Sequence, residues 1–321
     1  MQINYIEPLS KAWNRMKKAL FHPFDIQKWF VVGFTAFLAG LLNGNPSANF
    51  SNSIDKRNIN VDNIERIPQI VMEWINTHPF LFILILAVIV FVFILLVILT
   101  WLSSRGSFMF LDNVVGDRAR VSAPWHQFRF LGNSLFLWRI GFGLLCFLVT
   151  LPFVVLSILT LLPLMHGPGA GGYLIIFICL VGVTVLLSLI AAYISMFANN
   201  FVVPIMYKHN LQVIAAWKVF IPILKSNLLH FLFYGLFLLL LGIGVGIAVI
   251  FTGCVTCCLF FILLMIPYIN AVVLLPVSYT YRAYSLEFLA QFGPEYSLFP
   301  IPPPPPSVEP AIPGPNPSAS E

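Results

Sequence analysis

Charged side chains are scarce in this sequence, and their scarcity excludes an ordinary soluble protein. They make up only 9% of the chain, against about 25% in soluble globular domains. Hydrophobic residues reach 59%, and the mean hydropathy is +0.92. The sequence therefore predicts an all-α integral membrane protein, whose 321 residues are best divided into spans of about 20 apolar residues each.

Residues 79–104, 140–207 and 226–281 lack Asp, Glu, Lys and Arg altogether. The first run is long enough for one helical crossing. Turn signals interrupt each of the other two, which therefore predict hairpins. A shorter stretch, Trp29 to Leu42, adds a sixth span that needs tilt or local bilayer thinning. We predict six transmembrane helices within a membrane domain of residues 29–285. The lack of acidic residues at membrane depth disfavours proton-coupled transport.

Features of a cleaved export signal are also missing from the N-terminal region. About thirty residues precede the first apolar stretch, and no good Ala-x-Ala site follows it. Apolar residues instead recur at helical spacing: Leu9, Ala12, Trp13, Met16 and Leu20. Residues 1–28 are therefore expected to form a basic amphipathic helix. It either lies in the membrane interface, anchored by Trp13, Lys17 and Lys18, or packs against the ends of the spans.

Basic residues are unevenly distributed along the chain. Fourteen of the seventeen Lys and Arg residues flank the predicted spans on one side, and the other three fall within residues 43–78. The positive-inside rule then places both termini in the cytoplasm, with segments 105–134 and 208–227. Residues 43–78 become an external loop, and the cell membrane is the expected location.

A short pattern recurs along the chain. Trp125 and Trp217 each precede a Phe by three residues, and Asn and Ser follow near the entry to a long span; Trp13 occupies the equivalent place. Two spans also end alike, in "VVPIMYK" and "LLPVSYTYR". We interpret these as three repeats of an interfacial amphipathic helix plus a transmembrane hairpin, with the tryptophans as interfacial anchors. The alternative is chance similarity, because aromatic belts arise at membrane interfaces anyway.

The succession "FVVPIMY", "AAW" and Phe resembles uncharacterised bacterial multi-pass membrane families. More distantly, it is similar to the membrane domain associated with glycerophosphodiester phosphodiesterases. The resemblance implies an embedded helical bundle with little agreed chemistry. No soluble phosphodiesterase domain accompanies it in these residues, so that activity does not carry over.

Three cysteines, Cys254, Cys257 and Cys258, lie in the motif "GCVTCC". On the outer side of the membrane they could form a disulfide or a redox pair. Alternatively, they pack a tight helical turn as small side chains. No further ligand is close in sequence, so a metal site is not expected.

Asparagines occur near prolines within two predicted spans: Asn199 and Asn200 in one, and Asn270 in the other. Because proline frees a carbonyl, these amides could satisfy the backbone or bridge helices. The alternative is a polar cavity that they line. The glycines of "GIGVG" predict a close helix crossing.

The sequence carries no zinc-protease, Walker or nucleophile-elbow motif, so no enzyme, cofactor or metal is predicted. Residues 286–321 form a Pro-rich, disordered cytoplasmic tail, which either docks a protein partner or is a mobile end. Membrane lipids are the other expected partners, and nucleic acid is not one.

Together, these features favour a non-enzymatic protein that organises the membrane or holds a partner. The alternative is a transporter, or a subunit of one, for an apolar or lipid-like substrate. A lipid head-group enzyme would require Asp112, Asp117 and His126 to converge.

Overall fold

The computed structural model describes residues 3–41, 67–166, 170–256 and 259–299, which form helices and no strand. The helices are α1 Ile6–Phe21, α2 Ile26–Gly40, α3 Ile67–Thr77, α4 Pro79–Gly116, α5 Ser122–Gln127, α6 Arg129–His166, α7 Ala170–Phe197, α8 Val203–His209, α9 Val213–Ser226, α10 Leu228–Val255, α11 Leu259–Met265, α12 Pro267–Val273 and α13 Leu275–Ala290. A π-helical turn, Ala198–Val202, joins α7 to α8, and a 3-10 turn, Pro294–Tyr296, follows α13. Cys257, Cys258 and the proline-rich residues from 300 onward lie outside the described residues.

Four helices in the described part of the chain are long and apolar enough to cross a membrane. They are Pro79–Gly116, Arg129–Leu161, Gly171–His209 and Leu228–Val255. Each contains an uncharged run that was predicted to span, because about 20 apolar residues in helical form match the hydrocarbon thickness. The all-α class and the membrane character are therefore confirmed.

The predicted count of six spans is not confirmed. The first predicted span is the helix α2, which has only 15 residues. The sixth is broken into α11, α12 and α13, with an extended residue, Ile266, before Pro267 and a second break at Leu274. Pro267 is the first residue of α12 and Pro276 the second residue of α13. These prolines explain the breaks, since proline cannot donate a backbone hydrogen bond to the preceding turn.

The boundary predicted near residue 105 also differs from the structure. Residues 105–134 were expected to form a segment between spans, but α4 continues to Gly116 and α6 begins at Arg129. The charge of Arg105 does not end the helix. Its guanidinium lies 4.4 Å from the Trp101 ring and 4.9 Å from the Trp125 ring, a cation–π arrangement that keeps the charge on the helix surface.

The densest packing is an aromatic cluster that we call the basal core: Phe201, Phe220, Phe231, Tyr234 and Phe288, each 0% exposed. The Phe201 ring lies 5.0 Å from Phe231 and 4.9 Å from Tyr234. Such tilted and edge-to-face pairs add to the energy of apolar burial. The outer part of α4 differs completely, because residues 79–96 are all exposed. Packing is thus concentrated at one end of the molecule.

Helix α1 packs along α13 and buries the face that carries Ala12, Met16 and Leu20. The Arg15 Nε donates to Glu287 Oε1 across this contact at 2.7 Å. In the structure α1 is therefore packed along one face against another helix. Trp13 is not on the buried face and is 49% exposed.

Two helices end in the same way. Asp117 after α4 and Asn210 after α8 both adopt left-handed conformations, with φ of 49° and 51°. The next N–H bonds back across five residues, from Arg118 to Asn113 and from Leu211 to Met206. This is a Schellman-type ending, and Asp and Asn tolerate its left-handed residue better than most. A short helix follows each ending, α5 in one case and α9 in the other.

Candidate functional site: a buried arginine network

Arg139 is the centre of a polar network between the long helices. Its Nη1 donates to the Oγ atoms of Ser103 at 3.2 Å and Ser104 at 3.1 Å, and its Nη2 donates to Ser107 Oγ at 3.2 Å. The three serines share one face of α4, since residues three and four apart are neighbours on a helix. Nη2 also donates to Asn199 Oδ1 at 2.5 Å. Arg139 therefore ties α6 to α4 and to the π-helical turn.

Asn199 connects this network to a second arginine through its backbone. The Val203 N–H donates to the Ala198 carbonyl, as a π-helical turn requires. The corresponding donor for the Asn199 carbonyl would be Pro204, which has no N–H. Arg282 Nη1 donates to this carbonyl instead, at 2.7 Å. The proline thus creates the acceptor that holds Arg282 beside Arg139.

Both arginines are held by neutral groups. The described carboxylates that make contacts are engaged elsewhere: Glu7 with Lys11, Asp25 with the Gln27 N–H, Glu287 with Arg15, Asp117 with Lys28 and Asp112 with Tyr207. The positive charges of Arg139 and Arg282 act on each other. Their neutral surroundings leave a concentration of uncompensated positive charge between the helices, which makes the network the strongest candidate site in the described structure.

The network lies where the apolar runs meet the charged ends of the helices. Arg139 directly precedes the uncharged residues 140–207, and Arg282 directly follows 226–281. Asn199 is about 15 Å from the end of α8, at 1.5 Å per residue. In a membrane protein the ends of such uncharged runs correspond to the level of the lipid headgroups. The two arginines are therefore at that level in the sequence, and Asn199 comes from further inside its helix.

Two tyrosines pack close to the network. Tyr234 and Tyr284 are both 0% exposed, and their rings stack with centroids 5.3 Å apart. Their hydroxyl groups are buried and have no hydrogen-bond partner among the described residues. Tyr234 lies close to Arg282. The stacked rings of the two tyrosines therefore form an aromatic wall beside the arginines.

The predicted interfacial anchors have different environments. On α1, Lys17 and Lys18 are exposed, and the Lys17 ammonium lies 5.9 Å above the Trp13 ring. Trp125 is half-buried and packs edge-on against Trp101, with ring centroids 5.6 Å apart. Trp13, Lys17 and Lys18 thus remain available to a membrane surface.

Trp217 is much more enclosed than an interfacial anchor would be. Its ring lies 5.7 Å from that of Trp138 and 5.8 Å from that of Phe220. Its Nε1 is buried without a hydrogen-bond partner among the described residues. Trp217 therefore connects α9 to α6 through ring contacts.

The predicted asparagine bridges are of two kinds. Asn199 contacts two other helices, as described above, and Asn200 is half-buried in the same π-helical turn. Asn270 is 2% exposed, and its Nδ2 donates to the Leu264 carbonyl across the break before Pro267, at 3.1 Å. Asn270 thus satisfies a backbone group within its own broken segment.

Two other predictions concern α10. Cys254 is exposed near its end, while Cys257 and Cys258 lie outside the described residues. The close helix crossing expected at Gly242, Gly244 and Gly246 is wrong for the described structure, because a Cβ at any of them would meet no atom within 4 Å. Since α10 faces outward at this point, these glycines need no close neighbour.

A groove of about 680 Å³ lies between the residues around the start of α1 and the first part of α10. Phe233, Leu236 and Leu240 line its apolar side, and Asn4 and Glu7 its polar side. Tyr5 closes one end, with its hydroxyl 3.0 Å from His230 Nδ1. Burial raises the pKa of the Tyr5 phenol, so it stays protonated at neutral pH. The groove is thus amphipathic and borders an outward-facing helix.

The side chains considered for catalysis have separate roles. Asp112 accepts a hydrogen bond from the Tyr207 hydroxyl at 2.8 Å. Asp117 pairs with Lys28 at 2.9 Å, and His126 is exposed on α5. Within the described ranges, no three His, Cys, Asp or Glu residues are grouped so that they could hold a metal ion.

Sequence reasoning missed Arg139 and Arg282 because both were counted only among the basic residues that flank the predicted spans. One signal could have found them. Ser103, Ser104 and Ser107 form a polar stripe at the end of the long apolar run of α4, and such a stripe predicts a polar partner from another helix.

Comparison with protein families gives one match. Residues 3–275 match the model of a family of unknown function (DUF7544). The chain belongs to this family. The matched region includes Arg139 and Asn199 and ends before Arg282. No curated protein and no solved structure matches the chain. The resemblance to the membrane domain associated with glycerophosphodiester phosphodiesterases is not tested by this match and stays a prediction.

Proposed function

We propose that this protein is a non-enzymatic multi-pass membrane protein that organises lipids around a rigid basal core. One observation supports this above all. In the most apolar stretch of α4 and in that of Gly171–His209, no residue is buried inside the protein. In the most apolar stretches of the other two long helices, only 6% of the residues are buried. Helices that expose nearly all of their spanning surface must be covered by lipid or by another protein. A lipid-organising role uses this surface directly.

The basal core gives the outward-facing helices a fixed geometry. Arg139 joins three elements, and the aromatic rings around Phe201 fill the space behind it. Long helices that are fixed at one end and uncovered beyond it would hold lipids in the gaps between them. The same arrangement would also let the protein act as a scaffold, with a partner covering the helices instead.

The finer topology belongs to the same proposal. The cell membrane, two cytoplasmic termini and a basal core on the cytoplasmic side follow from the positive-inside rule. Three repeats, each an amphipathic helix followed by a hairpin, are supported by the matching ends of α4 and α8. Single cysteines placed at Lys18 and at Thr256, in a chain whose five native cysteines are replaced by serine, test the orientation. A membrane-impermeant thiol reagent added outside intact cells should label only Thr256→Cys. Labelling of Lys18→Cys instead would mean that the protein has the opposite orientation.

The experiment that tests the function is extraction into a lipid-retaining polymer, followed by mass spectrometry of the bound proteins and lipids. A shell of retained lipid without a stoichiometric protein supports lipid organisation. A stoichiometric protein partner would favour the scaffold role instead. Loss of that partner on deletion of residues 300–321 would assign it to the Pro-rich tail. Recovery of neither lipid nor partner would contradict the proposal.

Transport of an apolar or lipid-like substrate is the second candidate, and the broken helices α11 and α12 favour it. Discontinuous helices are typical of transporter binding sites, and the groove along α10 has both apolar and polar walls. Vesicles that contain the purified protein and a fluorescent lipid separate the two functions. Accelerated movement of that lipid between leaflets would favour transport, and an unchanged rate would favour lipid organisation.

A further inference from the structure

The guanidinium of Arg282 has an unused edge. Its Nη1 donates to the Asn199 carbonyl, but Nε and Nη2 make no hydrogen bond to any residue that the structure describes. Arg282 as a whole residue is partly buried. An arginine edge with two parallel N–H groups matches two oxygens of a phosphate or carboxylate group.

The environment of this edge favours an anion. Arg139 lies beside it, bonded to the same asparagine, and all four of its hydrogen bonds go to neutral groups. Two neighbouring positive charges in a poorly solvated position repel each other, and an anion between them removes that cost. The carboxylates of Glu287 and Asp112 are engaged elsewhere, with Arg15 and with Tyr207, so these two residues do not supply the anion.

The depth of the network indicates which anion. Arg139 and Arg282 mark the ends of two uncharged runs, which is the level at which phospholipid phosphates lie in a bilayer. We propose that the Nε–Nη2 edge of Arg282 binds a phosphate group, with Arg139 held beside it as a second positive charge. Arg282 is the ligand-binding residue, and Arg139 is a positioning residue.

This inference does not depend on the proposed lipid-organising role, because free phosphate carries the same group. Stability in phosphate is the first measurement. The thermal-unfolding midpoint of the purified chain in a neutral detergent is compared in phosphate and in chloride at equal ionic strength. A ligand that binds only the folded state raises the midpoint, so phosphate should raise it for the wild type.

Substitutions then locate the site. Arg282→Gln should abolish the rise and weaken phosphate binding about tenfold or more, as loss of a charge-assisted contact implies. Arg282→Lys keeps the charge but not the paired N–H groups, so it should retain part of the rise. Arg129→Gln is the matched control, since it removes the same charge from an exposed position on α6 and should behave as the wild type.

A second measurement distinguishes the source of the phosphate. The protein is reconstituted in vesicles of phosphatidylcholine and phosphatidic acid, extracted with polymer, and analysed for bound lipid. Enrichment of phosphatidic acid that Arg282→Gln abolishes identifies a lipid headgroup. A phosphate-dependent midpoint without enrichment identifies free phosphate. If Arg282→Gln does not fold, the responses of the wild type and of Arg129→Gln to phosphate and to phosphatidic acid still test the proposal.

The proposal is overturned if phosphate does not raise the unfolding midpoint of the wild type or of Arg129→Gln and neither protein enriches phosphatidic acid. It is equally overturned if a folded Arg282→Gln responds as the wild type does. Retained lipid without any phosphate effect would leave the lipid-organising role intact and refute only this site.

Discussion

At the scale of single residues, side chains replace the backbone donors that two proline-associated breaks remove. The Asn199 carbonyl, within the π-helical turn, accepts from Arg282. The Leu264 carbonyl, before Pro267, accepts from Asn270. Within an apolar environment an unpaired carbonyl costs several kcal/mol, roughly, so each break requires such a donor. Polar residues in these spans are therefore explained first by the backbone, and Arg282 is notable because it has donors left over.

The hydroxyl of Tyr234 is the opposite case, because it is buried and has no hydrogen-bond partner among the described residues. An unpaired buried hydroxyl costs about 1–3 kcal/mol, and Tyr234→Phe removes it while keeping the ring contacts. We expect the thermal-unfolding midpoint to stay the same or rise. The exposed Tyr173 provides a control, since Tyr173→Phe should change nothing. A clearly lower midpoint for Tyr234→Phe would mean that the hydroxyl has a partner after all.

At the scale of elements, close approach of helices depends on particular glycines. Helices α2 and α4 touch at Gly106, where an added Cβ would lie 2.5 Å from Leu38 Cβ and 2.7 Å from the Ala39 nitrogen. Ser103 Oγ donates to the Ala39 carbonyl at 3.1 Å in the same contact. Because the obstructing atoms include backbone, the pair can relieve the overlap only by moving apart.

Gly106→Ala should therefore destabilise the protein by about 1–3 kcal/mol, the usual cost of overpacking. The measurement is the thermal-unfolding midpoint in detergent. Gly141→Ala is the matched control, because a Cβ there meets nothing within 4 Å, and it should be neutral or slightly stabilising. Equal midpoints for the two variants would show that the contact between α2 and α4 is loose.

The elements also show what the sequence could predict. Long helices were predictable because uncharged runs of about 20 residues have one stable form in lipid. The broken α11–α13 segment was predicted as one span. Whether a proline breaks a span depends on which side chains can donate hydrogen bonds to the freed carbonyls, as Asn270 does here, and the sequence alone does not show those contacts. The arginine network was not predicted. It joins Ser103, Asn199 and Arg282, which are far apart in sequence, and only the packing of four elements brings them together.

At the scale of the whole molecule, stability and membrane contact are separated in space. The basal core contains fully buried rings from α9, α10, α13 and the π-helical turn. The outer part of α4 has only exposed apolar residues. Apolar side chains that face lipid in both the folded and the loosened state contribute little to folding, whereas buried rings contribute through packing. The basal core should therefore determine the stability of the whole chain.

Two phenylalanine substitutions test this division. Phe201→Ala removes a ring that is 0% exposed and contacts Phe220 at 5.5 Å, so it should cost roughly 3–5 kcal/mol. Phe91→Ala removes an equal ring that is 66% exposed, and its effect should stay within about 0.5 kcal/mol. Thermal-unfolding midpoints of both variants, measured in the same lipid-retaining particles, give the comparison. A large loss for Phe91→Ala would mean that α4 is covered by protein, and it would move the function from organising lipids toward holding a partner.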